Sequence, residues 1–287
     1  MAWRALRTVF FGRKPVVAVV PLSGLIGPVG ALRRGLTLAA LSKPIERAFR
    51  LRNLRAVALT INSPGGSAVQ AQLIHRHIRS LAEERRVPVF AFAEDVAASG
   101  GYWLAAAADE LFANENSIVG SIGVIYASFG FAPLLDRLGI ERRLYTAGPK
   151  KSLLDPFRPQ DPDEVARLKA LQLDIHESFK TLVRVRRAGK LRAPEDVLFS
   201  GEFWTGRRAH ELGLVDGIGD LATVMRERYG KDVRLRVVRG ERDVLRTWFR
   251  LGPRRLGWST DSPARDAWAA ELLAAVEERL LWHRYGL

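Results

Sequence analysis

The chain has no cysteine in its 287 residues and only five histidines. The first absence excludes disulfides, thiolate metal sites and cysteine nucleophiles together. The histidines are His75, His77, His176, His210 and His283. The one close pair, at i and i+2 on a predicted helix, points its side chains apart, so no metal and no other cofactor is expected. No histidine stands in a loop flanked by candidate catalytic residues, which disfavours a histidine-based triad. Long apolar runs are missing too. The best candidate, residues 16–32, is broken by Pro21, Gly24, Gly27, Pro28 and Gly30 and falls short of the roughly 20 residues that span a bilayer. Residues 1–14 mix Arg4, Arg7, Arg13 and Lys14 with Trp3, Leu6, Val9 and Phe10, unlike a secretory signal. They read as a packed terminus or as a short basic amphipathic segment lying on anionic lipid. With no transmembrane segment or signal peptide read, the expected location is the cytoplasm, with peripheral contact at the inner membrane.

Acidic residues are also in deficit: 31 Asp and Glu against 45 Lys and Arg give a net charge of +14, which suits an acidic partner. No zinc-finger spacing, ribonucleoprotein signature or helix-turn-helix pattern accompanies that charge, so no nucleic-acid partner is expected. Affinity for a membrane surface is the preferred reading. With 47% hydrophobic and 26% charged residues, the chain can bury a sizeable core.

Three β-branched or apolar runs, at 16–20, 57–61 and 87–92, have the length of buried strands. Between and after them, 69–84 carries Leu73, Ile74, Ile78 and Leu81 at helical spacing, and 102–108 is a small-residue helix. Alternation of this kind predicts a parallel α/β sheet with right-handed crossovers and the functional loops along one edge. Further on, the pattern predicts a turn and strand over 117–126, a helix over 132–138, a strand over 141–145, a long helix from Pro162 to a stop at Gly189, and a short helix ending at Gly213. The fold is expected to end near Gly230. Arg-rich segments follow, and an amphipathic stretch over 264–281.

The candidate chemistry lies in four loops. A serine hydroxyl attacks only when a base removes its proton, and a lysine held neutral by burial can be that base. Ser99 opens a Ser-Gly-Gly run at a helix start, and Lys151 lies in Gly-Pro-Lys-Lys-Ser. Ser121 could hold the amine, with Leu153, Leu154, Tyr102, Ile122 and Val124 as candidates to line its pocket. Gly65, Gly66 and Gly100 could bring unobstructed backbone N–H groups to a developing oxyanion. Each motif alone is more often an ordinary turn. Their joint order is what carries meaning.

That order resembles the signal peptide peptidase A family, peptidase family S49, whose fold is similar to those of the crotonases and Clp proteases. The likeness rests on Asn62-Ser63-Pro64-Gly65-Gly66-Ser67, Ala98-Ser99-Gly100-Gly101-Tyr102-Trp103, Ile118 to Ile125, Gly148-Pro149-Lys150-Lys151-Ser152, and Phe203 to Asp216. The resemblance implies an α/β ββα superhelix with a single catalytic domain over 15–230, preceded by the basic segment 1–14. A basic arm and C-terminal amphipathic helix would form a helical extension over 231–287. It implies a Ser-Lys dyad of Ser99 as nucleophile and Lys151 as general base, assisted by Ser121, with Lys150 as the rival base. It also implies a homo-oligomer such as an octamer, with the two halves of the dyad near a subunit interface, and peptide substrates such as cleaved signal peptides or membrane-protein fragments. Two features depart from the family pattern: a short basic N-terminus in place of a membrane anchor, and Pro149-Lys150 before the base. Two rivals remain at this stage, a crotonase-type acyl-CoA enzyme using Glu94 or Asp95, and a catalytically silent membrane-associated scaffold.

Overall fold

Alternation along the first strand sets up the two faces of the sheet. In β1 (Val16–Ser23), Ala18, Val20 and Leu22 enter one apolar cluster while Val17 and Val19 enter another, as a period of two requires. The computed structural model describes residues 14–28, 35–148 and 150–239, with 276, 279, 280, 282, 283 and 285. The basic segment expected at the N-terminus and most of the arm and helix expected over 231–287 lie outside the described residues.

Helix α1 (Leu38–Phe49) begins on Thr37, whose hydroxyl accepts from Ala40 N–H, and it buries Ile45, Ala48 and Phe49. β2 (Leu54–Ser63) then pairs in parallel with β1. Helix α2 (Ala68–Arg85) is capped by Ser67 and buries Ala71, Ile74, His75, Ile78 and Ala82, one stripe at helical spacing. β3 (Val89–Ala98) returns parallel to β2 and leads into α3 (Gly100–Ala105), all six residues of which are buried. β4 (Glu110–Ala113), β5 (Ile118–Gly120), α4 (Ala132–Arg137), α5 (Pro162–Arg186), α6 (Glu195–Leu198), β6 (Phe203–Thr205), α7 (Gly206–Glu211), β7 (Gly217–Ile218), α8 (Leu221–Tyr229) and β8 (Arg234–Val237) complete the order. The main sheet runs β6-β5-β3-β2-β1-β8, and only the β5–β6 pairing is antiparallel. Helices α1, α2 and α3 cover one face, and Val224 and Met225 of α8 pack on the other. The protein is α/β with a mostly parallel sheet, as the sequence predicts.

β3 is shared between two neighbours. Its first half pairs with β4 and its last three residues with β5. The β2–β3 register slips between Ile61 and Ser63, a bulge that bends the strand. Asn62 fills the slip, its Nδ2 donating to Asp95 Oδ2 at 2.6 Å and its Oδ1 accepting from Val96 N–H at 3.3 Å.

Three expectations change. The strand expected over 141–145 is exposed chain without a ladder partner among the described residues; the Arg142 side chain meets Asp155 and Phe157 instead. Of the strand expected over 117–126, only Ile118–Gly120 is paired. The sheet continues past Gly230, since β8 adds in parallel to β1.

Candidate active site

Parallel register places the two serines side by side. Ala98 of β3 is opposite Gly120 of β5, so Ser99 and Ser121 leave adjacent strands about 4.8 Å apart. Both turn sharply at φ +53°. Ser99 N–H donates to Gly120 O at 2.8 Å and Ser121 N–H to Glu202 O at 2.7 Å. Ser99 makes no side-chain capping bond to α3, which leaves its hydroxyl free of that duty. Ser121 is buried.

The glycine loop after β2 is pressed against this turn. A Cβ on Gly65 would sit 2.8 Å from Ser99 Cβ and 2.9 Å from Gly100 N, and one on Gly66 would sit 2.2 Å from Ile26 O. With φ of +109° and +135°, these positions also require backbone that only glycine adopts readily. Among the described residues, neither Gly66 N–H nor Gly100 N–H meets a protein acceptor. The two donors lie close together, since a Cβ on Gly100 would be 3.4 Å from Gly66 N. Gly65 differs from the oxyanion role expected of it: its N–H is directed at Ser63 Oγ, 3.2 Å away, so what it supplies is clearance. Beside these groups is a cavity of about 370 Å³, lined by Ser99, Gly66, Gly100, Val124, Ile175 and Phe179 with Trp103 and Tyr285. Trp103 stacks on Phe179 at 4.6 Å, which ties α3 to α5.

Lys151 is elsewhere. It is exposed, in the turn after Gly148, and is not part of the cavity wall; Lys150 is exposed beside it. The lining expected for the base changes accordingly. Tyr102 is in the core with its hydroxyl donating to Leu214 O at 2.7 Å, and Ile122 is fully buried. Leu154 N–H is bound by Glu164 near the start of α5. Only Val124 of the five lines the Ser99 cavity. The segment that carries the lysine, 121–161, folds partly on itself: Phe131 stacks on Phe157 at 5.5 Å, and the Arg142 guanidinium lies 4.9 Å from the Phe157 ring. It also exposes Ile125 (66%), Phe129 (78%), Leu138 (62%) and Tyr145 (89%), far more apolar surface than a short segment leaves to water unaided. Tyr285, a further residue of the cavity, carries no local sequence signal.

Glu94 and Asp95 do not line the Ser99 cavity, and Asp95 is taken up by Asn62. His75 and Asp216 are among the groups near the core whose titration is shifted. Burial, with Arg186, Arg79 and Arg76 around it, lowers the His75 imidazole to about 4. At Asp216 burial pushes the carboxyl up, but hydrogen bonds from Arg187 and Lys190 outweigh it and hold the group below its usual range. No three His, Asp or Glu side chains among the described residues are grouped to hold a metal ion.

The sequence model of peptidase family S49 matches residues 82–234. The chain is 32% identical over 216 residues to the chloroplastic serine protease SPPA of Arabidopsis thaliana, covering 74% of this chain and 32% of that protein. It is 27% identical over 205 residues to protease 4 of Haemophilus influenzae, covering 71% and 32%. A Brucella melitensis protein named Na(+)/H(+) antiporter NhaA is 49% identical over 278 residues, covering 94% of this chain and 37% of that protein. The chain thus spans about a third of the length of these relatives. No helix among the described residues is long and apolar enough to cross a membrane.

Proposed function

This chain belongs to peptidase family S49, and from that premise we propose that it is a serine endopeptidase that cleaves apolar peptides with a Ser-Lys dyad. Ser99 Oγ attacks the scissile carbonyl carbon as its proton passes to the Lys151 amine. The oxyanion is held by Gly66 and Gly100 N–H. Collapse breaks the C–N bond, the lysine returns the proton to the leaving amine, and water then hydrolyses the acyl-enzyme by the same route. The observation that carries this reading is the pair of neighbouring N–H groups, without a protein acceptor among the described residues, beside a serine held at φ +53°. The apolar cavity next to Ser99 supports apolar side chains as the preferred substrate.

The base comes from a second copy of the chain. The exposed apolar segment around Lys151 supports this, since packing it on a neighbour would bury Phe129, Leu138 and Tyr145 and carry the lysine into an adjacent Ser99 cavity. A closed ring of subunits, such as an octamer, would satisfy every copy in turn. The net charge of +14 supports peripheral attachment to an anionic membrane surface.

The test is cleavage of an apolar signal-like peptide, followed by mass spectrometry, with native chain, Ser99→Ala, Lys151→Ala and a mixed assembly of the two variants. We expect each variant alone to be inert and the mixture to recover about a quarter of native activity, because head-to-tail contacts pair an intact serine with an intact lysine at some interfaces. Native activity should rise from acid to alkaline pH as a lysine base loses its proton. An inert native oligomer would leave a scaffold role in place of the peptidase, and an inert mixture would place both halves of the dyad in one chain.

A further inference from the structure

The Ser99 cavity already contains a residue of its own chain. Tyr285 is buried; its hydroxyl donates to Ser121 Oγ at 3.3 Å, and its ring meets Phe203 edge-on with centroids 5.1 Å apart. It rests on Val96 and Ala98 with Trp282 against the same cluster. Tyr285 N–H returns to Trp282 O at 2.9 Å, so the two aromatics form a single turn. The contact with Ser121 closes a sequence separation of 164 residues.

Two observations give this contact a meaning beyond packing. The first is that Tyr285 lines two cavities, the one at Ser99 and another of about 660 Å³ bordered by Glu94, Asn114, Ser117 and Asp220. Its side chain borders both. Withdrawn, it would leave one groove running from the middle of β3 and the start of β5 to Ser99, the shape an extended peptide requires. The second concerns Ser121 Oγ, the atom assigned to steady the base amine. Among the described residues its partner is the tyrosine hydroxyl, while Lys151 lies outside the cavity.

We propose that the turn carrying Trp282 and Tyr285 is a built-in plug of the substrate groove. Tyr285 takes the place at Ser121 that the lysine amine fills in the working site, and a peptide entering with the lysine displaces it. What is displaced rests on the Ser-Lys reading above; the contact itself does not. A neutral hydroxyl–hydroxyl bond at 3.3 Å and one edge-on aromatic pair form a contact that a peptide can outcompete.

The full-length oligomer is assayed for kcat and KM on an apolar peptide as native chain, Tyr285→Phe and Tyr285→Ala. Where the plugged form outnumbers the open one by about ten to one, Tyr285→Ala raises kcat/KM roughly tenfold, mostly through KM, and Tyr285→Phe raises it less. An unchanged kcat/KM in Tyr285→Ala overturns the plug, and so does a lowered one, which would make the tyrosine part of the working site. Docking is read apart from turnover by hydrogen exchange in peptides covering the 282–285 turn. Ser121→Ala, which lacks the acceptor, should exchange faster there than the native chain. Equal exchange overturns the proposal even when no variant cleaves any peptide, a result that by itself counts only against the peptidase reading.

Discussion

Around Ser99, each neighbour is fixed by the chain's own ladders. Gly120 receives its N–H, Gly65 leaves no room for a methyl group beside it, and α3 and the last three residues of β3 are buried. Around Lys151 the reverse holds. The segment from Ser121 to Asp161 leaves the sheet edge, carries one short helix with no buried residue, and exposes large apolar side chains. The difference teaches which half of the proposed chemistry a single chain can organise. In the proposed mechanism the nucleophile and oxyanion donors would be preorganised by folding, and the base would arrive with assembly.

The largest expected effect tests that division where it is sharpest. Lys151→Ala should lower kcat by on the order of 10⁴-fold with KM little changed, as loss of one member of a catalytic unit does, and Lys150→Ala should cost less than tenfold. Steady-state kinetics on one peptide compares them, and equal losses would break the assignment to Lys151. Next comes the preorganised half. Gly66→Ala forces a Cβ to within 2.2 Å of Ile26 O at φ +135°, and we expect a loss of about 3 kcal/mol or more in urea unfolding together with activity.

His75 reports on the same half through pH. Its imidazole is lowered to about 4 from 6.5, so between those values the unfolded chain binds more protons than the folded one. The stability it contributes is complete above pH 6.5 and is lost as pH falls toward 4, by about 3 kcal/mol. Urea midpoints at pH 7 and pH 4.5 should converge in His75→Leu, and an unchanged slope would mean that water reaches the ring. The smallest effect on the single chain belongs to the lysine segment. Phe129→Ser with Tyr145→Ser should move its stability by less than about 0.5 kcal/mol. The same pair should shift the oligomer toward monomer in sedimentation and remove activity with it.

Much of the rigid half was legible from residue type. The β-branched runs at the cores of β1, β2 and β3 carry their own period, and the stripe Ile74, Ile78 marks α2. Helix α1 was missed because Pro44 interrupts a pattern that Thr37 nonetheless caps and Ile45, Ala48 and Phe49 bury. β4 and β7, with four and two residues, are too short for a periodic signal; their existence depends on what they pair with. The expected strand at 141–145 failed for the complementary reason. A strand is a relation between two segments, and the described residues supply no ladder partner for this one. Gly65, Gly66 and Gly100 were legible as a group, although the bond from Gly65 N–H to Ser63 Oγ is visible only in three dimensions. Tyr285 was not legible at all, since its contact with Ser121 crosses most of the chain.

Ser99 at φ +53° and ψ −123° has one more consequence. A non-glycine residue in such a conformation costs of the order of 1–3 kcal/mol, and glycine would relieve it. Ser99→Gly should therefore give a protein that melts higher and cleaves nothing. A chain selected only to fold would carry glycine at this position, so the serine marks a point where durability and reactivity make opposite demands on one backbone.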